Sequence, residues 1–190
     1  FLQAQADTSL LQDFTNSTMA MPWADQVDKV EDKAVMALRA PYRICTLPLV
    51  PACLVLTADP GEKQTHWTVH SIAKDGEMHM IEYGAVMTVN DLLGLLREKR
   101  YKDLEGKEHM INTGIVDSGY QTEIVYRVCA FSPMNQRLYP SRGVDATGKP
   151  WHVNQVHGWP QLLLYIYSDY VLKNSLYLDR IQKRLPPIYS

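Results

Sequence analysis

The sequence has neither the cysteine spacing typical of disulfides nor a long apolar run, and each absence excludes a class of protein. The cysteines Cys45, Cys53 and Cys129 are far apart and form no CxxC pair. Neither a disulfide framework nor a structural zinc site is therefore expected. No apolar stretch approaches the length that spans a bilayer. We expect a protein of a reducing cytoplasm with no membrane partner.

A strong charge of either sign is also missing. The chain has 19 basic and 21 acidic residues, so any nucleic acid would have to be met by a local basic patch. It contains no G-x-x-x-x-G-K-[ST] phosphate loop, so no packaging-type ATPase is expected in these residues. Its 190 residues, 46% of them hydrophobic, are enough for the core of one domain and an additional segment.

Residues 1–50 differ in character from the remainder. Pro41, Pro48 and Pro51 follow two short helical patterns, and such proline spacing is typical of irregular structure. We predict that residues 1–50 form a linking or wrapping segment and that residues 51–190 form the folded domain. The chain begins at Phe1 and not at Met, so we expect it to be part of a longer protein.

The predicted domain begins with strands. An apolar run, two alternating runs and the turns between them predict an antiparallel meander. A capped helix, a buried strand and a second helix follow. An irregular stretch, another buried strand and a last helix complete the order. In chain order the boundaries are Cys53–Asp59, Thr65–Ala73, Met78–Val86, a helix from Thr88, Ile111–Val116, a helix from Ser118, irregular Pro133–Gly158, Gln161–Tyr170 and a helix to about Arg184.

Three of these strands end in an aspartate: Asp59, Asp117 and Asp169. Asp117 alone could be a turn residue, since Ser118 and Gln121 after it have the spacing of a capping box. Three carboxylates that converge raise each other's pKa unless a cation compensates them. Carboxylate oxygens are the ligands that Mg²⁺ and Mn²⁺ prefer. The pattern therefore predicts a site for two divalent ions.

The order of elements predicts an α/β fold of the RNase H-like type. Its mixed sheet has three antiparallel strands followed by parallel strands, and helices flank it. The first and fourth strands are neighbours in this plan, which would place Asp59 beside Asp117. Ligands bind at the carboxyl edge of such sheets.

Six stretches carry a resemblance to a known family: LQDFTNSTMAMPW, LTADPG, IVDSGYQTEIVYRVC, RLYPSRG, GKPW and LYIYSDYVLKNSLY. With them the chain resembles the C-terminal nuclease domain of a tailed-phage terminase large subunit, in the lambda-like branch. The resemblance implies a two-metal endonuclease that cleaves concatemeric double-stranded viral DNA during genome packaging. It also implies partners: an ATPase domain in the same full-length chain, a small terminase subunit and the portal protein. The implied location is the host cytoplasm.

The resemblance further implies which residues bind the metal. Asp117 matches the second ligand of the family, and Asp169, followed by Lys173, matches the third. An ungapped match places Gly61 at the first ligand. Asp59 lies two residues earlier and would face the same side of a strand, so it is assigned as the first ligand.

Other polar residues are candidates for supporting roles. Glu82 is a possible outer-shell carboxylate or a solvated strand end. Lys173 is a possible contact to the phosphate or to the Asp169 carboxylate, or half of an ordinary i,i+4 ion pair. His66 and His70 share a strand face but are not expected to form a metal site. The predicted DNA contacts, which a solvated basic loop would also explain, are Arg137, Arg142, Lys149 and Trp151.

Two alternative functions stay open at this point. One is another RNase H-like nuclease of the resolvase or transposase type, which would prefer branched DNA. The other is a catalytically silent domain that clamps DNA or docks to the portal. The second would follow if Asp59 failed to support a metal ion.

Overall fold

The computed structural model describes residues 39–145, 149–173 and 188–189. The chain divides into two compact units, Phe1–Ala37 and Leu38–Ser190, and only the second contains described residues. The predicted helices before residue 39 and the predicted helical residues 174–184 lie outside the described residues. The domain boundary at residue 50 stays a prediction. None of the described helices is long and apolar enough to cross a membrane.

Within the described residues the second unit consists mainly of strands. These are β1 (Arg39–Ala40), β2 (Cys53–Pro60), β3 (Thr65–Ile72), β4 (Met78–Val86), β5 (Tyr101–Lys102), β6 (Glu108–His109), β7 (Thr113–Asp117), β8 (Arg137–Val144), β9 (Trp151–Val156), β10 (Trp159–Ser168) and β11 (Ile188–Tyr189). The helices are α1 (Leu92–Glu98), α2 (Thr122–Ala130) and α3, described over residues 169–173. Short 3-10 turns, Val89–Asp91 and Met134–Gln136, precede α1 and β8.

Nine of these strands form one mixed sheet in the order β1-β11-β4-β3-β2-β7-β8-β10-β9. The strands β2, β3 and β4 form the antiparallel meander. On the other side of β2, the strands β7, β8 and β10 all run parallel to it. The prediction of an α/β fold with an RNase H-like sheet is confirmed. The strands β5 and β6 form a separate hairpin.

The prediction of an irregular stretch over Pro133–Gly158 is wrong for most of its length. It contains β8, which lies inside the sheet between β7 and β10, and β9, which pairs with β10. Pro140 and Gly143 lie within β8 and are residues that normally interrupt strands. In β9 the residues from Trp151 to Gln155 are all exposed and Val156 is buried, so exposed and buried side chains do not alternate. Non-local pairing therefore overrides local preference in both strands.

The core lies on the face of the sheet that packs against α1 and α2. Alternate residues of the strands point to this face, and they form one buried cluster with Leu92 and Leu96 of α1 and with Val125 and Val128 of α2. The predicted cap of the first helix is present, because the Asp91 carboxylate accepts the Thr88 N–H at 2.8 Å. The opposite face of the sheet is half-exposed.

A buried glutamine fixes the entry to β7. The side-chain amide of Gln136 donates to the carbonyl of Leu96 at 2.6 Å and to that of Ile111 at 3.0 Å. Gln136 is 3% exposed, so both hydrogen bonds are shielded from water. The end of α1 and the segment that leads into β7 are thereby held together.

Candidate active site

Two neighbouring parallel strands carry the first pair of aspartates. Ala58 of β2 pairs with Val116 of β7, so Asp59 and Asp117 follow at the same level on adjacent strands. Neighbouring strands lie about 4.8 Å apart. The Asp59 and Asp117 side chains are therefore attached at adjacent positions, at the carboxyl ends of β2 and β7.

The third aspartate reaches this level from the end of β10. Tyr167 of β10 pairs with Gly143 of β8, and Asp169 is the first residue of α3. Its carboxylate lies back over Gly143, so a Cβ atom built on this glycine would be 2.5 Å from Asp169 Oδ1. The Asp169 side chain therefore occupies space above β8, the strand between β7 and β10.

The three carboxylates are close enough for their charges to interact. Burial raises the pKa of the Asp117 carboxyl, and the charges of Asp59 and Asp169 raise it further. The backbone N–H groups of Gly119 and Ser118 oppose this rise by donating to the carboxylate. The pKa of Tyr167 is raised by burial and by the same three aspartates.

Asp59 and Asp117 border an open cleft of about 450 Å³. Its wall contains Asp59 and Asp117 together with polar and aromatic residues from five neighbouring strands. The lining residues are Thr57, Ala58, Asp59, His66, Trp67, Thr68, Ile115, Asp117, Ser141 and Tyr167.

The turn after Asp117 is built differently from the predicted capping box. Ser118 is buried and donates its hydroxyl to the carbonyl of Ser141 at 2.7 Å, so it ties β7 to β8 and does not cap the helix. Gln121 has a left-handed backbone with φ of 55° at the N-cap position, and α2 begins at Thr122. The Gln121 side-chain amide donates to the carbonyl of Gly61 at 3.4 Å. The predicted capping role of Ser118 is wrong.

Lys173 contacts the third aspartate. Its Nζ lies 3.6 Å from Asp169 Oδ2, one helical turn away, and its side chain is mostly exposed. This is the i,i+4 ion pair that was one of the two readings of Lys173. In this position the ammonium offsets part of the negative charge at the site.

Glu82 lies away from the aspartates. It pairs with Val69, whose side chain belongs to the core, whereas Asp59 faces the cleft. The Glu82 carboxylate accepts the Tyr101 hydroxyl at 2.8 Å and lies 2.5 Å from Lys99 Nζ. It is therefore neither solvated nor near the cleft, and the accessory role predicted for it has no support from its position.

The predicted DNA contacts separate into two groups. Arg142, Lys149 and Trp151 are exposed near the end of the sheet where the aspartates lie. Arg137 is at the other end of β8, where Nη2 donates to the carbonyl of Gln161 at 3.1 Å. It is about 13 Å from the level of Asp117, which pairs with the strand residue four positions later.

His66 lines the cleft, although from the sequence it was considered only as a metal ligand and was not expected to be one. It pairs directly with Asp59 across β2 and β3, and directly paired side chains lie on the same face. Its Nε2 lies 3.1 Å from Gln64 Nε2. The alternation of β3 was the available signal, because it places His66 and Thr68 on the face opposite Trp67 and Val69.

The three aspartates supply suitable donors for a hard divalent cation. Carboxylate oxygens are its preferred ligands, and the mutual repulsion at Asp117 is the kind that a cation relieves. In the part of the chain that the structure describes, no three His, Cys, Asp or Glu side chains converge tightly enough to form a ready-made metal site. The three aspartates thus fit a divalent cation by the chemistry of their donors and not by a preformed geometry.

An RNase H-like sheet with clustered carboxylates at the ends of its strands defines a nuclease-type domain. The comparison with protein families gives a match over residues 1–161 to the terminase large subunit gpA, endonuclease domain. The chain belongs to this family, and the resemblance found in the sequence is confirmed. Membership gives the chain a nuclease role in phage DNA packaging, with DNA as the substrate. No curated protein and no solved structure matched the chain.

Proposed function

We propose that this domain is a metal-dependent endonuclease that cleaves concatemeric double-stranded viral DNA during genome packaging. The observation that carries the proposal is the position of Asp117, which is level with Asp59 on the neighbouring strand and whose pKa is raised by burial and by the charges of Asp59 and Asp169. A cluster of like charges at the carboxyl ends of parallel strands costs folding free energy unless a ligand compensates it. Its presence in an endonuclease family supports a catalytic role.

In this proposal Asp59, Asp117 and Asp169 hold two Mg²⁺ or Mn²⁺ ions. When bound, such ions supply positive charge that activates water and stabilises the charge developing on the phosphate oxygens. The protein fixes its own ligands in advance. The N–H groups of Gly119 and Ser118 orient the Asp117 carboxylate, and the Lys173 ammonium contacts that of Asp169.

The open shape of the cleft suits a double-stranded substrate, because a duplex can approach the aspartates without being threaded. We assign Arg142, Lys149 and Trp151, which are exposed near the strand ends that carry the aspartates, to backbone contacts with the duplex. Contacts to phosphates position DNA but carry no sequence information directly. We therefore propose cleavage with little sequence preference.

The remaining partners follow from the same proposal. The domain would act with the ATPase domain of its full-length chain, the small terminase subunit and the portal protein, in the host cytoplasm. No phosphate-loop motif lies in the 190 residues, so the ATP that drives packaging would be hydrolysed elsewhere.

Metal-dependent cleavage is the first expected result. The 190-residue chain, incubated with supercoiled plasmid, should nick and linearise it in Mn²⁺ or Mg²⁺ and leave it intact in EDTA. Linear and branched duplexes of equal length should be cut at similar rates. A strong preference for branched DNA would favour a resolvase-type enzyme. Binding without cleavage in any metal would contradict the proposal and favour a DNA-clamp or docking domain.

Arg142 and Arg137 form a matched pair for the proposed DNA contacts, because they lie on the same strand at opposite ends. Arg142→Ala should weaken duplex binding and reduce the slope of log K against log salt by about 1, as expected for one lost phosphate contact. Arg137→Ala should leave that slope unchanged and lower Tm, since it removes the hydrogen bond to Gln161. Fluorescence anisotropy with a labelled duplex in EDTA, over a range of salt, measures the slopes. Equal slopes for Arg142→Ala and the unchanged protein would remove Arg142 from the interface.

A further inference from the structure

We infer that Gly143 is a positioning residue of the active site, because the Asp169 carboxylate packs directly on its backbone, which carries no side chain. The inference rests on the proposed function, since it concerns how the third aspartate is held for metal binding. It assigns to β8 a role in the site although β8 contributes no carboxylate.

The contact involves the whole carboxylate. A Cβ atom at position 143 would lie 2.5 Å from Asp169 Oδ1, 3.0 Å from Cγ and 3.1 Å from Oδ2. These distances are shorter than van der Waals contact between carbon and oxygen. Any residue other than glycine therefore displaces the Asp169 carboxylate from its present position.

The register of the sheet explains why position 143 must lack a side chain. Ser141 of β8 pairs with Asp117, and Gly143 lies two residues further on the same face of β8. Asp169 comes from the far side of β8, beyond the paired residues Ser168 and Val144. To approach Asp117 its side chain must pass over β8, and at Gly143 no side chain stands in the way.

The ion pair with Lys173 holds the Asp169 carboxylate only loosely. Lys173 Nζ lies 3.6 Å from Oδ2, and the Lys173 side chain is 77% exposed. A solvated ammonium on a flexible stem fixes a direction poorly. The Gly143 backbone is therefore the rigid part of the support for the Asp169 carboxylate.

Adding a methyl group at position 143 should reduce metal binding and cleavage but hardly change the free energy of unfolding. The atoms that would be struck belong to the end of a short, partly exposed side chain, so they can rotate away at little cost in folding free energy. A displacement of about 1 Å of a reacting or ligating group costs about a hundredfold in rate. Gly143→Ala should thus impair metal binding and cleavage while the fold is retained.

The test compares three glycine-to-alanine variants of the 190-residue chain. In Gly143→Ala the Mn²⁺ affinity, measured from the rise of Tm with Mn²⁺ concentration, should fall by about 10- to 100-fold, the usual effect of disturbing the support of a ligand. Its Tm in EDTA should stay within about 3 °C of the unchanged protein, a shift that corresponds to about 1 kcal/mol. Plasmid cleavage should fall with the affinity.

Two control variants separate a local effect from general damage. Gly94→Ala adds a methyl group where no atom lies within 4 Å, and Gly84→Ala places one 2.7 Å from the buried Trp67 ring. Gly94→Ala should change neither Mn²⁺ affinity nor cleavage. Gly84→Ala should lower Tm in EDTA but leave the Mn²⁺ affinity of the folded protein unchanged.

A double-mutant cycle then asks whether Gly143 acts through Asp169. In an Asp169→Asn background, Gly143→Ala should cause no further loss of Mn²⁺ affinity, because the group that it positions is already gone. Additive losses would overturn the inference, and so would an unchanged affinity in the single variant. If the unchanged protein itself neither binds Mn²⁺ nor cuts DNA, the proposed function fails first and the inference falls with it.

Discussion

Asp117→Asn should reduce metal-dependent cleavage by at least about a hundredfold, the loss typical of removing one preorganised group that stabilises developing charge. Asp117 is the central carboxylate, since both Asp59 and Asp169 act on it. Asparagine keeps the shape of the side chain and one oxygen, so the backbone donors of Gly119 and Ser118 still have an acceptor. The loss would therefore report the missing charge and not a collapsed loop.

The same substitution should make the metal-free protein more stable. The pKa of Asp117 is raised in the folded state, mainly by burial, so the folded protein holds this proton more tightly than the unfolded chain does. Stability contributed by that proton is present at low pH and is lost as pH rises from the ordinary carboxyl pKa through the raised value. Above that interval the folded state carries an unfavourable charge. Asparagine carries none, so the variant should unfold at a higher temperature in EDTA at neutral pH.

Thermal unfolding in EDTA between pH 3.5 and 8, paired with plasmid cleavage in Mn²⁺, measures both effects. Asp75→Asn is the matched control, because Asp75 is exposed in the turn before β4 and its Oδ1 accepts the Glu77 N–H. The control should cut DNA normally and show no gain in Tm at neutral pH. Normal cleavage by Asp117→Asn would remove Asp117 from the catalytic machinery. A lower Tm at neutral pH would show that its charge stabilises the fold.

The parts of the fold that the sequence predicted are those set by local pattern. Strong alternation and clear turns define β2, β3 and β4, and the predicted limits of β4 agree with the structure. The aspartates at strand ends were visible for the same reason, because a run of apolar residues that stops at a carboxylate is a local signal.

The parts that were missed depend on neighbours distant in sequence. β8 contains Pro140 and Gly143 yet lies inside the sheet, because β7 and β10 pair with it on both sides. Ser118 has the spacing of a helix cap, but its hydroxyl donates to the carbonyl of Ser141 in β8, and α2 begins only at Thr122. No pattern within either segment reveals these partners.

The position of Glu82 also depends on residues that are distant in sequence. Glu82 lies in the middle of β4 and not at its end, and because an irregularity in the pairing of β3 with β4 follows Val69, Glu82 faces the core side. There Tyr101 and Lys99 satisfy it. The family match also stops at residue 161, so Asp169 is supported by the geometry around Gly143 and not by that match.

Gly114→Ala should cause the largest loss of stability of any glycine substitution in this sheet. Gly114 lies in the middle of β7, between Leu56 of β2 and Leu138 of β8. A Cβ atom there would be 2.7 Å from the main-chain oxygen of Leu56 and 2.7 Å from Leu138 Cδ2. A main-chain oxygen inside a sheet cannot rotate away, so the strands themselves would have to separate. Overpacking of this kind costs about 1–3 kcal/mol and occasionally more.

For a chain of this size each kcal/mol lowers Tm by about 2–4 °C, so Gly114→Ala should unfold several degrees earlier in EDTA. Cleavage should fall as well, because β7 carries Asp117 and any shift of this strand changes its distance from Asp59. Gly94→Ala again serves as the control, since it adds the same methyl group in open space. Gly143→Ala provides the opposite case, in which cleavage is lost while Tm is kept. An unchanged Tm in Gly114→Ala would mean that β2 and β7 tolerate separation, and the level pairing of Asp59 with Asp117 would then not be fixed by close packing.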